Sequence, residues 1–217
     1  MNDCPRPVMN ATHGPDGTFA YETIVLDSPK SAEMPNEFIN ELKKWANEIV
    51  RSGASGNFIG MHRAVELIAK HFVVQPHEVA ILVAMPDERF LRFVMPENLQ
   101  GMGQIPMTSS NSLAVRTARE KRAEMTNHFP GVPHSSVFEA VPISEDKRGV
   151  AIQKIMSAPI LFEKKVIGVI QVSRKGGSPS EAGPDFIPQQ LRELKAIADT
   201  IAPCIPLCAK ESQLQGS

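Results

Sequence analysis

The sequence predicts an α+β fold in which amphipathic helices pack on an antiparallel β-sheet. Residues 158–175 form two apolar, β-branched runs joined by a short charged turn, a pattern typical of a β-hairpin. Residues 78–95 repeat that arrangement around a Pro-Asp-Glu turn. Amphipathic helical patterns flank these strands on both sides. Together, these patterns indicate an antiparallel sheet with helices at its ends.

The N-terminal 35 residues are expected to form an extended or partly disordered arm, because prolines and glycines recur throughout them. Residues 19–26 are the exception. They contain enough aromatic and β-branched residues for an isolated strand or a docking segment.

A flanking helix and a flexible break are predicted for residues 36–56. Its apolar positions recur at helical spacing: Phe38, Leu42, Trp45 and Ile49. The Ser-Gly-Ala-Ser-Gly run at 52–56 ends this helix. A second helix is predicted for residues 60–72.

Three strands then follow, at residues 78–85, 89–95 and within 101–107. The polar residues 108–111 offer caps for a middle helix that extends to about residue 122, before a short strand at 123–127.

The second strand of the hairpin, residues 166–173, is apolar on both faces, which predicts an inner strand of the sheet. Gly168 within it allows a neighbouring backbone or a ligand to come close. A last helix begins near residue 185, with Leu191, Leu194 and Ile201 in a heptad-like seam, and Pro203 must kink or end it. Residues 210–217 form a polar tail that we expect to be loose.

Composition and charge exclude several classes of protein. The chain has 217 residues with 23 basic and 24 acidic side chains, a balance that gives no case for nucleic acid or an anionic membrane. No apolar run reaches the roughly 18 residues of a membrane span. Three cysteines do not suggest a disulfide framework. We expect a reduced, cytoplasmic protein.

In this order and spacing the elements resemble a GAF domain, a fold related to PAS domains. The resemblance covers about residues 60–205 and rests on four segments: EVAILVAM, SLAVRTAREKR, SAPILFEKKVIGVIQVSRK and DFIPQQLRELKAIADTIAPCI. It implies a GAF-like domain at residues 57–209 with a central antiparallel sheet of about six strands. It also implies terminal helices on one face and a ligand pocket on the other, roofed by the middle helix and loops.

The resemblance places the pocket around the start of the middle helix, where free backbone N–H groups and polar side chains would meet a ligand. Two purely structural alternatives stay open: the polar residues serve only to cap the helix, and the histidine and the aromatic residues serve only in packing. The candidate ligand-binding residues are Phe93, Met95, Thr108, Ser109, Ser110, Asn111, Phe129, His134, Phe138 and Ser157.

No catalytic or metal-binding motif stands out. Cys204 and Cys208 lie four residues apart, but no histidine or carboxylate accompanies them at a ligand spacing, which favours structural thiols. The free methionine sulfoxide reductase branch of the family has cysteines in its pocket loops, and the bilin-binding branch has one near the pocket. This chain has neither, so we predict no catalytic residue, no metal and an unknown cofactor.

The leading hypothesis is a non-enzymatic sensory or regulatory GAF protein that binds a small molecule and signals through helix packing or a partner protein. A homodimer is expected through the apolar seams of the flanking helices: Phe38, Leu42, Trp45, Ile49, Leu191, Leu194 and Ile201. The alternatives are a small enzyme using His134 or His128 as acid–base, and a structural dimerisation module with a filled pocket.

Overall fold

A computed structural model describes residues 23–26, 36–53, 57–101, 103–131 and 151–207. The strands are β1 Thr23–Leu26, β2 Val79–Ala84, β3 Phe90–Met95, β4 Gln104–Pro106, β5 Ala123–Thr126, β6 Ile152–Phe162 and β7 Lys165–Lys175. The helices are α1 Asn36–Ser52, α2 Asn57–Phe72, α3 Leu113–Glu120 and α4 Pro188–Ile201.

The strands form one antiparallel sheet in the order β1-β5-β6-β7-β2-β3-β4. β7 therefore lies between β6 and β2, which confirms the prediction of an inner strand. Gly168 of β7 pairs with Val83, and a Cβ at this position would overlap the carbonyl oxygen of Leu82. The missing side chain lets the β2 backbone approach, as the sequence predicted.

The sheet has seven strands, where the resemblance implied about six. β1 lies within the predicted N-terminal arm and pairs along its whole length with β5, from Thr23↔Thr126 to Leu26↔Ala123. Its Ile24 side chain packs against the core. The Phe19-to-Leu26 run of β-forming residues was the only indication of this strand in the sequence.

Helices α1, α2 and α4 cover one face of the sheet, which we call the helix face. Its core is apolar and includes Leu42, Trp45, Leu191, Leu194 and Ile201, each at most 2% exposed. The indole Nε1 of Trp45 donates to the Gly60 carbonyl over 2.6 Å, joining α1 to α2.

This packing corrects the expected dimer interface. Leu42, Trp45, Ile49, Leu191, Leu194 and Ile201 are all buried inside one chain, and Phe38 is half-buried against His71. Because these side chains already cover the sheet, they offer little free surface to a second copy. A dimer would have to use other residues.

Helix α3 lies on the opposite face, which we call the α3 face. The apolar side chains there form a second cluster that includes Leu82, Phe93, Val115, Phe129 and Val169. The sheet thus separates two cores, one under three helices and the other beneath α3.

The start of β6 differs from the prediction, whereas the end of α4 agrees with it. β6 begins at Ile152, six residues before the predicted start, because its buried polar residues interrupt the apolar pattern. Among them, Lys154 pairs with Asp185 over 2.7 Å. At the C-terminus, α4 ends at Ile201 and passes into a short 3₁₀ turn that contains Pro203, since proline has no N–H for the helical ladder.

Candidate functional site

A row of buried polar side chains crosses the α3 face. Glu124 of β5 pairs directly with Ser157 of β6, and Ser157 pairs with Gln171 of β7. These three residues are 4%, 0% and 4% exposed. Thr117 of α3, also fully buried, reaches down to the row from above. We call these four residues the polar row.

Hydrogen bonds connect every member of the polar row. Gln171 donates from Nε2 to the Ser157 hydroxyl over 3.2 Å. The hydroxyl oxygens of Ser157 and Thr117 lie 2.7 Å apart. The Thr117 hydroxyl also lies 3.3 Å from the Glu124 Oε1 atom. Since buried polar groups are costly unless paired, these bonds set where α3 sits on the sheet.

Arg116 neutralises the buried carboxylate at the end of the polar row. Its Nε lies 3.0 Å and 3.1 Å from the two Glu124 oxygens, and its Nη2 lies 2.8 Å from Oε2. These hydrogen bonds raise the pKa of the Arg116 guanidinium. The Arg116 side chain is 41% exposed and that of Glu124 only 6%. The ion pair therefore joins a solvent-accessible guanidinium to a buried carboxylate.

Local sequence explains how α3 is placed. The Ser112 hydroxyl caps the helix by accepting the Val115 N–H over 3.3 Å. Lys121 ends it in the left-handed conformation at φ 52°. The chain then turns directly into β5, which puts Glu124 beneath Arg116 and Thr117.

Three of the predicted ligand-binding residues lie on the α3 face, and a fourth lies on the helix face. Ser157 belongs to the polar row, and Phe93 and Phe129 lie in the apolar cluster around it. Met95 instead lies in the core of the helix face, so its predicted place beside the ligand is corrected. The β2–β3 register shifts between Ile81 and Leu82, which breaks the expected alternation with Phe93.

The predicted residues before the middle helix lie in the loop that leads to it. Thr108, Ser110 and Asn111 are exposed and Ser109 is half-buried. The cap is Ser112 instead, one residue beyond this group. His134 and Phe138 lie outside the described residues. Ligand contact by any of the candidates stays a prediction.

Sequence reasoning missed four of the five residues that build this network: Arg116, Thr117, Glu124 and Gln171. One indication was available for Gln171. It is the single polar residue in the run Val166–Val172, and an isolated amide inside a buried strand needs a partner. Arg116 and Thr117 carried no such indication, because each also fits an exposed helix surface.

Cys204 lies on the helix face, away from the polar row. It is fully buried there, and its Sγ lies 3.6 Å from the Ala46 carbonyl oxygen. Burial raises the pKa of the thiol to about 11, so the sulfur is a protonated packing group at neutral pH. Cys4 and Cys208 fall outside the described residues.

Among the described residues, three surface concavities lie away from the polar row. One follows the outer side of α1, one lies between α1 and α2, and one lies beside the β2–β3 turn, with volumes of about 360, 270 and 430 Å³. Among the described residues, no group of three or more His, Cys, Asp or Glu side chains is placed to hold a metal ion. The described helices also include none with the length and apolarity of a membrane span.

Solved structures identify the fold. The GAF domain of a phosphoenolpyruvate-protein phosphotransferase from Acinetobacter aligns with a TM-score of 0.55 at 13% identity, over 85% of this chain and 99% of that chain. The corresponding domain from Coxiella burnetii aligns with a TM-score of 0.56 at 9% identity, over 81% and 96%. A substrate-bound free methionine-R-sulfoxide reductase from Neisseria meningitidis gives 0.50 at 10%, over 82% and 96%.

The chain is therefore a GAF-fold protein with an α+β architecture. This confirms the resemblance drawn from the sequence. No protein-family sequence model matches the chain, and no curated protein matches its sequence. At these identities the structural likeness establishes the fold alone.

Proposed function

We propose that this protein is a sensory or regulatory GAF domain that binds a small molecule on the α3 face, without catalysing a reaction. The observation that carries the proposal is the polar row. It places an amide, two hydroxyls and a carboxylate in an otherwise apolar layer. A few fixed polar groups among apolar side chains are the usual composition of a small-molecule site.

The way the two faces are covered supports the same proposal. The helix face is closed by α1, α2 and α4, which pack into one large core. Among the described helices, only α3 covers the other face, and it has just eight residues. A short helix tied down by hydrogen bonds can shift at lower cost than three helices joined through a common core. A ligand bound beneath α3 would change the position of this helix, and a partner could respond to that change.

A thermal-shift screen against a metabolite panel tests the proposal. A compound present at about 100 times its dissociation constant should stabilise the fold by about 2.7 kcal/mol. Thr117→Val should weaken the effect, because it removes a polar contact of α3. Thr200→Val on α4 is the matched control, since Thr200 is half-buried like many helix positions and its hydroxyl donates to the Ala196 carbonyl of the same helix. Stabilisation that is equal in all three proteins would contradict a site on the α3 face.

A structural module with a filled pocket is the second candidate. It is favoured by the dense packing of the α3 face, where Leu82, Val115, Val169 and Phe93 are each at most 2% exposed. It is favoured also by the polar row, whose members bond to one another. This candidate predicts no stabilisation by any compound in the panel.

An enzyme of the sulfoxide reductase type is disfavoured by the one cysteine that the structure describes. Cys204 is buried on the helix face, and its raised pKa removes the thiolate that such chemistry requires. Turnover of free methionine sulfoxide by the purified protein, lost in Cys4→Ala or Cys208→Ala, would reverse this conclusion.

Homodimer formation stays part of the proposal, but through surfaces other than the buried seams. Light scattering of the protein at tens of micromolar tests this proposal, and a molar mass of one chain at that concentration would contradict the homodimer.

A further inference from the structure

We infer that the connection between α2 and β2 is an acid-sensitive hinge: protonation of His77 opens this connection and loosens the end of α2 from the sheet. We call residues 73–78, which form the connection, the α2–β2 hinge. The inference concerns the helix face and is independent of the proposed ligand site. It follows from three energetically unfavourable features that lie together at this connection.

The first feature is the strained backbone of Val73, the residue at which the hinge begins. Val73 lies at φ 54°, in the left-handed region, which costs energy for a β-branched residue. Glycine is the usual residue just after a helix in this conformation, because it has no Cβ. The Val73 side chain is 80% exposed, so little burial offsets the strain. The conformation of the hinge therefore depends on contacts from its neighbours.

The second feature is the buried guanidinium of Arg174 on β7, which supplies those contacts. Its Nη2 donates to the Phe72 carbonyl over 3.0 Å and its Nη1 to the Val73 carbonyl over 3.2 Å, at the end of α2. Its Cζ atom also lies 4.7 Å from the centre of the Phe186 ring, shortly before α4. The residue is 6% exposed, and its buried Nε has no hydrogen-bond partner among the described residues.

The third feature is His77, which lies inside the hinge in the 3₁₀ turn Pro76–Glu78. Its Nε2 atom is buried and has no hydrogen-bond partner in the described part of the chain. Burial lowers the pKa of the imidazole; the carboxylate of Glu78 opposes this effect, and the ammonium of Lys175 adds to it. A protonated imidazole would carry its charge at a buried N–H group without an acceptor. The closed hinge therefore favours neutral His77.

Glu78 is the carboxylate that acts on His77, and its two oxygens already have partners. Its Oε2 accepts the backbone N–H of Gln75 over 2.8 Å, and its Oε1 accepts the backbone N–H of Lys175 over 2.6 Å. These bonds fasten the hinge to β7. A proton on His77 would not gain either oxygen without breaking one of them.

The other charged groups near the hinge are mostly positive. β7 contributes two buried cations, Arg174 and Lys175, each 6% exposed. The last turn of α2 carries Lys70 and His71, and the His71 Nε2 atom lies 3.0 Å from a Glu193 oxygen of α4. A charged His77 would add one more positive charge to this group, which strengthens the preference of the closed hinge for the neutral imidazole.

The direction of the pH effect follows from this preference. In the open hinge, His77 is exposed to water and its pKa returns to about 6.5. The open state therefore binds the proton more readily than the closed state. The free energy that keeps the hinge closed decreases as the pH falls below about 6.5, and it is unaffected above that range. Acid thus increases the population in which Arg174 no longer holds the end of α2.

Hydrogen exchange of the full-length protein at pH 7.5 and pH 5.0 tests the inference. Protection factors, corrected for the intrinsic exchange rate at each pH, are measured for the backbone amides of Val74, Glu78 and Lys175, which bond within the hinge or onto it. Their protection should fall on acidification by up to about 30-fold, the limit that an open-state pKa of about 6.5 allows at pH 5.0. Amides of α3, on the opposite face, should change by less than about twofold.

Variants separate His77 from the other titrating groups. His77→Gln keeps a neutral polar side chain that cannot take up a proton, so hinge protection should agree within about twofold at the two pH values. His77→Phe replaces the ring without a titrating nitrogen and should give the same result, which keeps the test valid if one variant does not fold. His62→Gln is the matched control, because His62 also lies on α2 but its side chain is 48% exposed; it should retain the full fall.

Three outcomes would overturn the inference. The first is a wild-type protein whose hinge amides change by less than about twofold between the two pH values. The second is an equal fall in the wild type and in the His77 variants, which would assign the pH dependence to other groups. The third is an equal fall in α3, which would show global destabilisation in place of a local opening. Each of these results leaves the proposed function in place, because ligand binding is measured separately by thermal shift.

Discussion

The two faces of the sheet are built on different physical principles. The helix face is held by apolar burial, with Trp45, Leu191 and Leu194 packed between three helices and the strands. The α3 face joins a smaller apolar cluster to a directed set of hydrogen bonds. Apolar contacts are strong but non-directional, whereas buried hydrogen bonds are specific in position and partner. The helix face therefore supplies most of the stability, and the α3 face can supply recognition.

The largest loss of stability is expected on the helix face. Trp45→Ala removes a side chain that is 2% exposed and the hydrogen bond from its indole to Gly60. Denaturant unfolding should show a loss of about 3 to 5 kcal/mol. Val50→Ala, on the same helix but 50% exposed, should change stability by less than about 0.5 kcal/mol. Comparable losses in the two variants would show that α1 is not packed as described.

The next largest loss of stability is expected within the sheet itself, where the backbones of β7 and β2 approach closely. Gly168→Ala forces a methyl group onto the carbonyl oxygen of Leu82, a backbone atom that cannot move aside cheaply. We expect a loss of roughly 1 to 3 kcal/mol in chemical unfolding. Gly101→Ala is the control, because a Cβ there meets nothing within 4 Å. A neutral Gly168→Ala would contradict the inner position of β7.

A smaller effect is expected on the α3 face. Thr117→Val keeps the shape of the side chain but leaves Ser157 and Glu124 each without one bond. Stability should fall by roughly 1 to 2 kcal/mol. Hydrogen exchange should accelerate in α3 and remain unchanged in α1, α2 and α4. Equal acceleration in all four helices would mean that the two faces unfold as one unit.

The smallest effect at neutral pH is that of the Cys204 thiol, whose contribution to stability changes only at high pH. Its pKa is raised to about 11 in the folded chain, against 9.0 for an unperturbed thiol. The unfolded state therefore loses this proton first, and stability should fall as the pH rises from about 9 to 11, with no contribution below that window. A Cys4→Ala, Cys208→Ala protein isolates the thiol, and adding Cys204→Ala should remove the fall. Rapid labelling of the native thiol at pH 8 would contradict its burial.

The sequence predicted the helix face more completely than the α3 face. Apolar spacing in α1 and α4, and the unbroken run around Gly168, depend on periodicity within one element, which a single sequence displays. Glu124, Ser157 and Gln171 come from three different strands, and their pairing depends on register between segments far apart in the chain. No pattern within a single segment of the sequence indicates how these strands are aligned with one another. Met95 was misplaced for a related reason, since one shift in the β2–β3 pairing moves a residue to the other face.

The most direct test of the central claim is an NMR titration of the isotope-labelled protein with the compounds of the panel, followed at assigned backbone and side-chain amides. A ligand bound under α3 should shift the signals of Thr117, Ser157 and the Gln171 side-chain amide, and should leave the Trp45 indole signal in place. Shifts that centre on Trp45 and the helix face, or no shifts with any compound, would contradict a binding site on the α3 face.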